Sequence, residues 1–226
     1  QPYTLETDVY SNARTAAEVA HATQYVDGLG RPLQTVGWQA SPSGKDIVAP
    51  VVYDAYSREQ YKFLPYTSTG SDGTFKADPF GEQSTFYGTT YTSEQPAYTN
   101  EKIYYSKVQY EASPLNRVLT TMASGNSWAG NNKGVQQQYL VNDGNDLVRA
   151  WDITYTLLTY TNNDVTTNIP KSIATYAAGQ LSETVSIDEH NNQVSEYKDN
   201  QGHTVLKKVQ IGTVTSAAPY TNWLCT

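Results

Sequence analysis

Few side chains in this sequence have the type and spacing for chemistry. Histidine occurs at His21, His190 and His203. His190 and His203 fall in the turns of adjacent predicted hairpins, beside Asp188 and Asp199. A shared metal or acid–base pair is one expectation there, and exposed turn residues are the other. Asp143-Gly144-Asn145-Asp146 gathers oxygen ligands that could hold Ca²⁺. It lacks the ligand order and distant bidentate Glu of an EF-hand, and a solvated hairpin turn explains the same residues. Glu94, Glu101, Asp152 and Glu183 could supply the paired carboxylates of glycoside hydrolysis, but none sits in a recognisable motif. There is no Gly-x-Ser-x-Gly elbow and no phosphate loop. Cys225 is the sole cysteine, so neither an internal disulfide nor a cysteine zinc site can form. The expectation is a non-enzymatic chain with no catalytic residue, no metal and no cofactor.

Aromatic residues carry the only binding signal. Trp38, Trp128, Trp151 and Trp223, with Tyr87, Tyr91, Tyr98, Tyr104 and Tyr105, could stack on sugar rings or fill a core. Trp128 lies in a Gly/Asn-rich loop without apolar neighbours. Together with Tyr91 and Tyr98 it forms the candidate ligand-binding set for a glycan or peptide.

The elements that would position these groups are strands. The chain has 226 residues, 19 of them Tyr, and only 16% are charged, below the roughly 25% of average domains. Net charge is −7 without a basic run, which argues against nucleic acid. No apolar stretch is long enough to predict a membrane span. Short Tyr/Val/Thr/Ile runs alternate with Gly/Asp/Asn/Ser clusters, which predicts an all-β chain of antiparallel hairpins and meanders with little helix. The clearest segment runs from Leu181 through turns at Asp188–Asn192 and Asp199–Gly202 to Ile211 and predicts a three-stranded meander. Asn12–Thr23 fits either two or three helical turns or an extended lead-in. Residues 65–100 and 123–134 read as long loops. No linker interrupts the chain, so residues 1–226 are expected to form one domain. The Gln1-Pro2 start, with no initiator Met, suggests a segment of a larger protein.

The hairpin turns repeat. The copies are Tyr25-Val-Asp27-Gly28-Leu-Gly30-Arg31, Tyr53-Asp54-Ala-Tyr-Ser57-Arg58, Tyr110-Glu111-Ala-Ser-Pro-Leu-Asn116-Arg117 and Tyr197-Lys-Asp199-Asn-Gln-Gly202-His203. The shared frame is a Tyr, an acid, a short turn, Gly or an equivalent, then Arg. The acid can cap turn N–H groups, Gly tolerates positive φ, and Arg can pair with the acid and stack on an aromatic ring. Ser57 in place of Gly and His203 in place of Arg predict irregular turns. Stacked copies would make an extended β-wall, a partial shell or sandwich.

With its continuation to Val36, the first copy resembles the hallmark of the YD-repeat, or Rhs-type, bacterial proteins. Ser41-Pro-Ser-Gly-Lys-Asp46, Tyr53–Glu59 with Leu64-Pro65, and Tyr110–Val118 are similar to the uncharacterised N-terminal domain preceding Rhs-type cores in large secreted bacterial proteins. The likeness covers roughly residues 20–210. It implies a secreted or surface-displayed, non-enzymatic β module that helps build an encapsulating shell, with the Rhs-type core of the parent polypeptide as its partner. The core to which self-cleavage is ascribed lies outside this segment, so no protease activity is implied. The alternatives are a carbohydrate-binding module using loop aromatics and, more remotely, a glycan-active enzyme.

Overall fold

The computed structural model describes residues 15–91, 101–152, 171–214 and 218–226. By contacts the chain falls into two compact units, residues 1–134 and 135–226. The described residues form fourteen strands, all paired antiparallel, and one short α-helix, so the fold is all-β as the alternation predicts.

The first unit contains β1 (Ala22–Val26), β2 (Pro32–Gly37), β3 (Ile47–Val52), β4 (Tyr61–Phe63), β5 (Tyr66–Thr67), β6 (Tyr105–Tyr110) and β7 (Val118–Met122). They pair in the order β1-β2-β3-β4-β6-β7, with β5 beside β3. Val36 and Val48, opposite one another on β2 and β3, are fully buried with Tyr66. Tyr25, Phe86 and Tyr87 pack against this cluster.

Fully buried Asp46 and nearly buried Lys76 pin the segment that follows β5. The Lys76 ammonium lies 2.8 Å from Asp46 Oδ2 and 2.7 Å from Asp72 Oδ1. Gln39 N–H and Gly73 N–H also donate to Asp46. Buried Gln34 donates to the Lys76 carbonyl and accepts from its N–H.

The expected loop over 65–100 instead holds helix α1 (Pro79–Thr85), which runs into a π-helical turn at Phe86–Thr90. Its start is written locally: Asp78 accepts from Gly81 N–H, and Pro79 occupies the first turn, where its missing N–H costs nothing. In the described part of Asn12–Thr23, a single turn near Thr15–Glu18 precedes β1. Those residues bury no apolar face that would hold a longer helix.

The second unit contains β8 (Val135–Val141), β9 (Arg149–Asp152), β10 (Lys171–Thr175), β11 (Ser182–Ile187), β12 (Gln193–Lys198), β13 (Thr204–Gln210) and β14 (Trp223–Cys225). β11, β12 and β13 are the predicted meander, flanked by β8 and β14, while β9 and β10 pair separately. Val148, Leu181 and Tyr197 form its buried core. The alternating run expected to extend to Tyr160 lies outside the described residues beyond Asp152.

Candidate functional site

One five-residue turn is built again and again from different residues. In Asp27–Arg31 the first residue donates its N–H to the carbonyl of the fifth, at 2.9 Å, and accepts the N–H of the fourth on its own carbonyl, at 3.0 Å. Asp27 Oδ1 accepts the N–H groups of Leu29 and Arg31, and Oδ2 accepts Arg31 Nε at 2.8 Å. Asp54–Arg58, Asp188–Asn192 and Asp199–His203 repeat every one of these backbone contacts. Ser41–Lys45 keeps the backbone pair, with the Ser41 hydroxyl taking the Lys45 N–H. Glu111–Arg117 is two residues longer. Its longer acid reaches Arg117 Nε at 2.9 Å, and Ser113 donates to the same carboxylate.

The fourth residue of each short turn takes positive φ: 78° at Gly30, 68° at Gly44, 64° at Ser57, 65° at Asn191 and 84° at Gly202. In the long turn Asn116 does so at 52°. Gly28 does not, so Gly30 alone needs to be glycine for conformational reasons in the first turn. The irregularity expected at Ser57 and His203 is absent. Both turns keep the frame, because His203 Nδ1 replaces the guanidinium as partner of Asp199 Oδ2 at 3.1 Å.

Tyrosine placement corrects the sequence alignment. Tyr53 and Tyr110 immediately precede the acid, whereas Tyr25 and Tyr197 stand two residues before it. Side chains alternate faces along a strand, so these pairs point to opposite sides. Tyr25 and Tyr197 therefore join the two cores. Tyr53 and Tyr110 instead receive the arginines of the preceding turn. The Arg31 guanidinium carbon lies 4.6 Å from the centre of the Tyr53 ring, and that of Arg58 lies 4.7 Å from Tyr110. Arg31 Nη1 also donates to Ser57 Oγ at 2.7 Å, and Arg58 Nη1 to Asn116 Oδ1 at 3.0 Å. Each arginine thus closes its own turn and clamps the next through its aromatic ring and its left-handed residue. This explains why those two positions are Ser and Asn: each gives up glycine's conformational ease and supplies an oxygen acceptor. The Ser41 turn, at the other end of β2, stands outside this ladder.

The turn carboxyls are held in their charged form. The Arg31 N–H lowers Asp27, and the Arg58 N–H does the same for Asp54, with the guanidinium groups adding to both. The Arg117 guanidinium brings Glu111 down to about 2. Asn192 lowers Asp188 and the His203 N–H lowers Asp199. Groups locked as anions and fully hydrogen-bonded suit positioning better than proton transfer.

Among the loop aromatics, Tyr98 lies outside the described residues, as does Glu94. Tyr91 lines a cleft of about 220 Å³ with Leu64, Tyr87, Tyr104 and Gly125, where the two predicted loop regions meet. Its neighbours are already engaged: Tyr87 and Tyr104 stack at 4.6 Å, and Tyr87 donates to the Pro65 carbonyl. Trp128 is half-buried beneath the Lys133 ammonium, 5.5 Å away, and does not line that cleft. Trp38 donates to the Ser71 carbonyl. Glu101 accepts from Asn126 N–H and serves the 123–134 loop.

In the second unit, β11 to β14 form the floor of a cleft of about 340 Å³. Glu183, Ser195, Tyr197 and Lys208, all buried, project from one sheet face, with Trp223 beside them. The Tyr197 hydroxyl donates to Asp146 Oδ1 at 2.9 Å, and Glu183 faces Tyr197 across the β11–β12 pair. Burial pushes the Glu183 carboxyl up, against the pull of the Tyr197 hydroxyl. Sequence reasoning named Glu183 without locating it and missed Lys208, whose position in an alternating strand is its only signal.

The Asp143–Asp146 oxygens are used within their own turn and on Tyr197. Among the described residues no group of three or more His, Cys, Asp or Glu side chains is placed to hold a metal ion. His190 and His203 do not meet, because their turns cap opposite ends of β12, about 20 Å apart for a six-residue strand. No helix among the described residues is long and apolar enough to cross a membrane.

No curated protein and no solved structure matches the chain. A family model described as a domain of unknown function (DUF6443) matches residues 2–141, which spans the first unit, the three laddered turns and β8. That match covers more than half of the sequence, and the chain belongs to the DUF6443 family of domains of unknown function.

Proposed function

We propose that this chain is a non-enzymatic β module that builds part of the wall of a larger, secreted or surface-displayed, Rhs-type bacterial polypeptide, with the remainder of that polypeptide as its partner. The observation that carries this reading is the arginine ladder, in which each turn seizes the next by the same ring and the same acceptor position. Such a unit adds copies of itself in one direction, which is how an extended wall grows. Among the described residues β1 stands at one end of the strand order and pairs with β2.

Removing this segment from its parent polypeptide tests the reading. The expected result is an opened wall, with the enclosed part becoming sensitive to protease. Unchanged protection of that part would overturn it. A second reading, a glycan- or peptide-binding module, draws on the Tyr91 cleft, where the two loop regions converge. It predicts glycan-array binding that Tyr91→Ala abolishes in a folded protein, and silence across a broad array would end it.

A further inference from the structure

We propose that the tips of the three laddered turns form a rim on which a second copy of this chain docks about a two-fold axis, with Tyr56 facing the partner's Tyr56 and Leu29 facing the partner's Leu115. The proposal stands independently of the wall reading and of the Tyr91 cleft.

The residue before the left-handed position sits at the tip of each turn. In the ladder it is Leu29, Tyr56 and Leu115, each between 70% and 78% exposed. A single exposed leucine carries no message. Here the same position is apolar in three successive turns and polar in the three turns outside the ladder, where exposed Ser43, His190 and Gln201 occupy it. The turn geometry therefore does not call for an apolar tip, and exposure shows that packing within the chain makes little use of one.

The tips are also preorganised. The N–H groups of Leu29 and Tyr56 donate to Asp27 Oδ1 and Asp54 Oδ1, and that of Leu115 donates to Ser113 Oγ. Covering the rim thus strands no tip N–H away from water. The Arg58 guanidinium carbon lies 5.0 Å from the centre of the Tyr56 ring, which steadies that ring and lowers the entropy lost on docking.

Two features select a second copy as the occupant. The turns join β1 to β2, β3 to β4 and β6 to β7, which follow one another in the sheet, so neighbouring tips stand two strands, or about 10 Å, apart. Leu–Tyr–Leu at even spacing reads the same in both directions, as an isologous two-fold contact requires. Each ladder arginine is paired with the acid of its own turn, Arg31 with Asp27, Arg58 with Asp54 and Arg117 with Glu111. Two such rims meet without concentrated like charge, whereas a charged partner would find no uncompensated field to steer it.

The test is analytical ultracentrifugation of the intact chain from about 10 µM to about 1 mM, the range of weak interfaces. The 25.0 kDa chain should approach twice that mass reversibly. Tyr56→Ser should weaken self-association by about tenfold or more, and Leu29→Ser or Leu115→Ser several-fold. Trp151→Ser and Ile211→Ser, at exposed apolar residues of the second unit, should leave it unchanged. Circular dichroism checks folding, and Leu115→Ser carries the test where Tyr56→Ser does not fold. In a Cys225→Ser background, oxidation should cross-link Tyr56→Cys to itself, and Leu29→Cys to Leu115→Cys more readily than either to itself. A chain that stays monomeric at the highest concentration would overturn the proposal, as would association that the rim variants leave intact. So would Leu29→Cys cross-linking to itself as readily as to Leu115→Cys. Binding of a monomeric chain to phosphatidylcholine vesicles, lost in Tyr56→Ser, would overturn it too and give the rim to lipid.

Discussion

Replacing Arg58 with Met leaves most of the aliphatic stem in place and removes everything the guanidinium does. It deletes the contact to Asp54, the bond to Asn116 Oδ1 at 3.0 Å, and the stacking on Tyr110 at 4.7 Å and on Tyr56 at 5.0 Å. The Arg58 side chain is 18% exposed, so its ring contact falls between the exposed and desolvated limits, about 1 kcal/mol. The hydrogen bond to Asn116 from a charged donor at a largely exposed site adds about 1 kcal/mol. The expected loss is about 2 kcal/mol before any contribution from Asp54. Urea unfolding of Arg58→Met, Tyr110→Leu and the double variant measures it, and the cycle should return a coupling of about 1 kcal/mol between the two residues. Arg31, at 33% exposed, should couple to Tyr53 more weakly. A coupling indistinguishable from zero at Arg58–Tyr110 would refute the clamp and leave the ladder as mere proximity.

Three further outcomes follow from the same structure. Gly30→Val should cost about 1–2 kcal/mol in urea unfolding purely through its φ of 78°, since a Cβ there meets nothing within 4 Å, whereas Ser57→Gly should be near neutral because relief of positive φ offsets loss of the Arg31 contact. Asp46→Asn should cost about 3 kcal/mol, because it leaves the nearly buried Lys76 with only Asp72. Burial works to raise Asp46, but the Lys76 ammonium and two N–H donors outweigh it and lower the carboxyl, so its contribution is present above about pH 4 and lost as pH falls through the native value; thermal melts of Asp46→Asn should vary less with pH below about 4. Glu183 is displaced upward, chiefly by burial, so the native state favours its protonated form and its contribution fades as pH rises through the native value. Glu183→Gln should gain stability relative to the parent between about pH 4 and pH 7, and a relative loss over that range would contradict the assignment.

The turns were legible because their chemistry is local. An acid that caps its own next N–H groups, a residue tolerant of positive φ and a closing donor all lie within five positions, so Asp27, Asp54 and Asp199 could be read directly. Two copies escaped that alignment. Ser41 caps with a hydroxyl, and Asp188–Asn192 closes with an amide that does the work of a guanidinium. Residue type alone puts Tyr25 and Tyr53 in one frame, but they stand two and one residues before their acids, and a step of one reverses the face. Helix α1 announced itself through Asp78-Pro79 but was masked by the Gly, Ser and Thr around it. The cleft could not be read at all. Asp146, Glu183 and Tyr197 meet across 51 residues of sequence, and only strand pairing brings Lys208 beside Ser195.

The central claim is that this chain is a section of a wall whose turns clamp their neighbours. A cryo-electron microscopy map of the parent polypeptide at side-chain resolution tests it most directly. The account predicts residues 22–122 embedded in a continuous sheet, with Arg31 on Tyr53, Arg58 on Tyr110, and further arginines stacked on tyrosines along the same edge. A map in which the segment hangs on a tether, its sheet edges free and the ladder ending with these three turns, would contradict it.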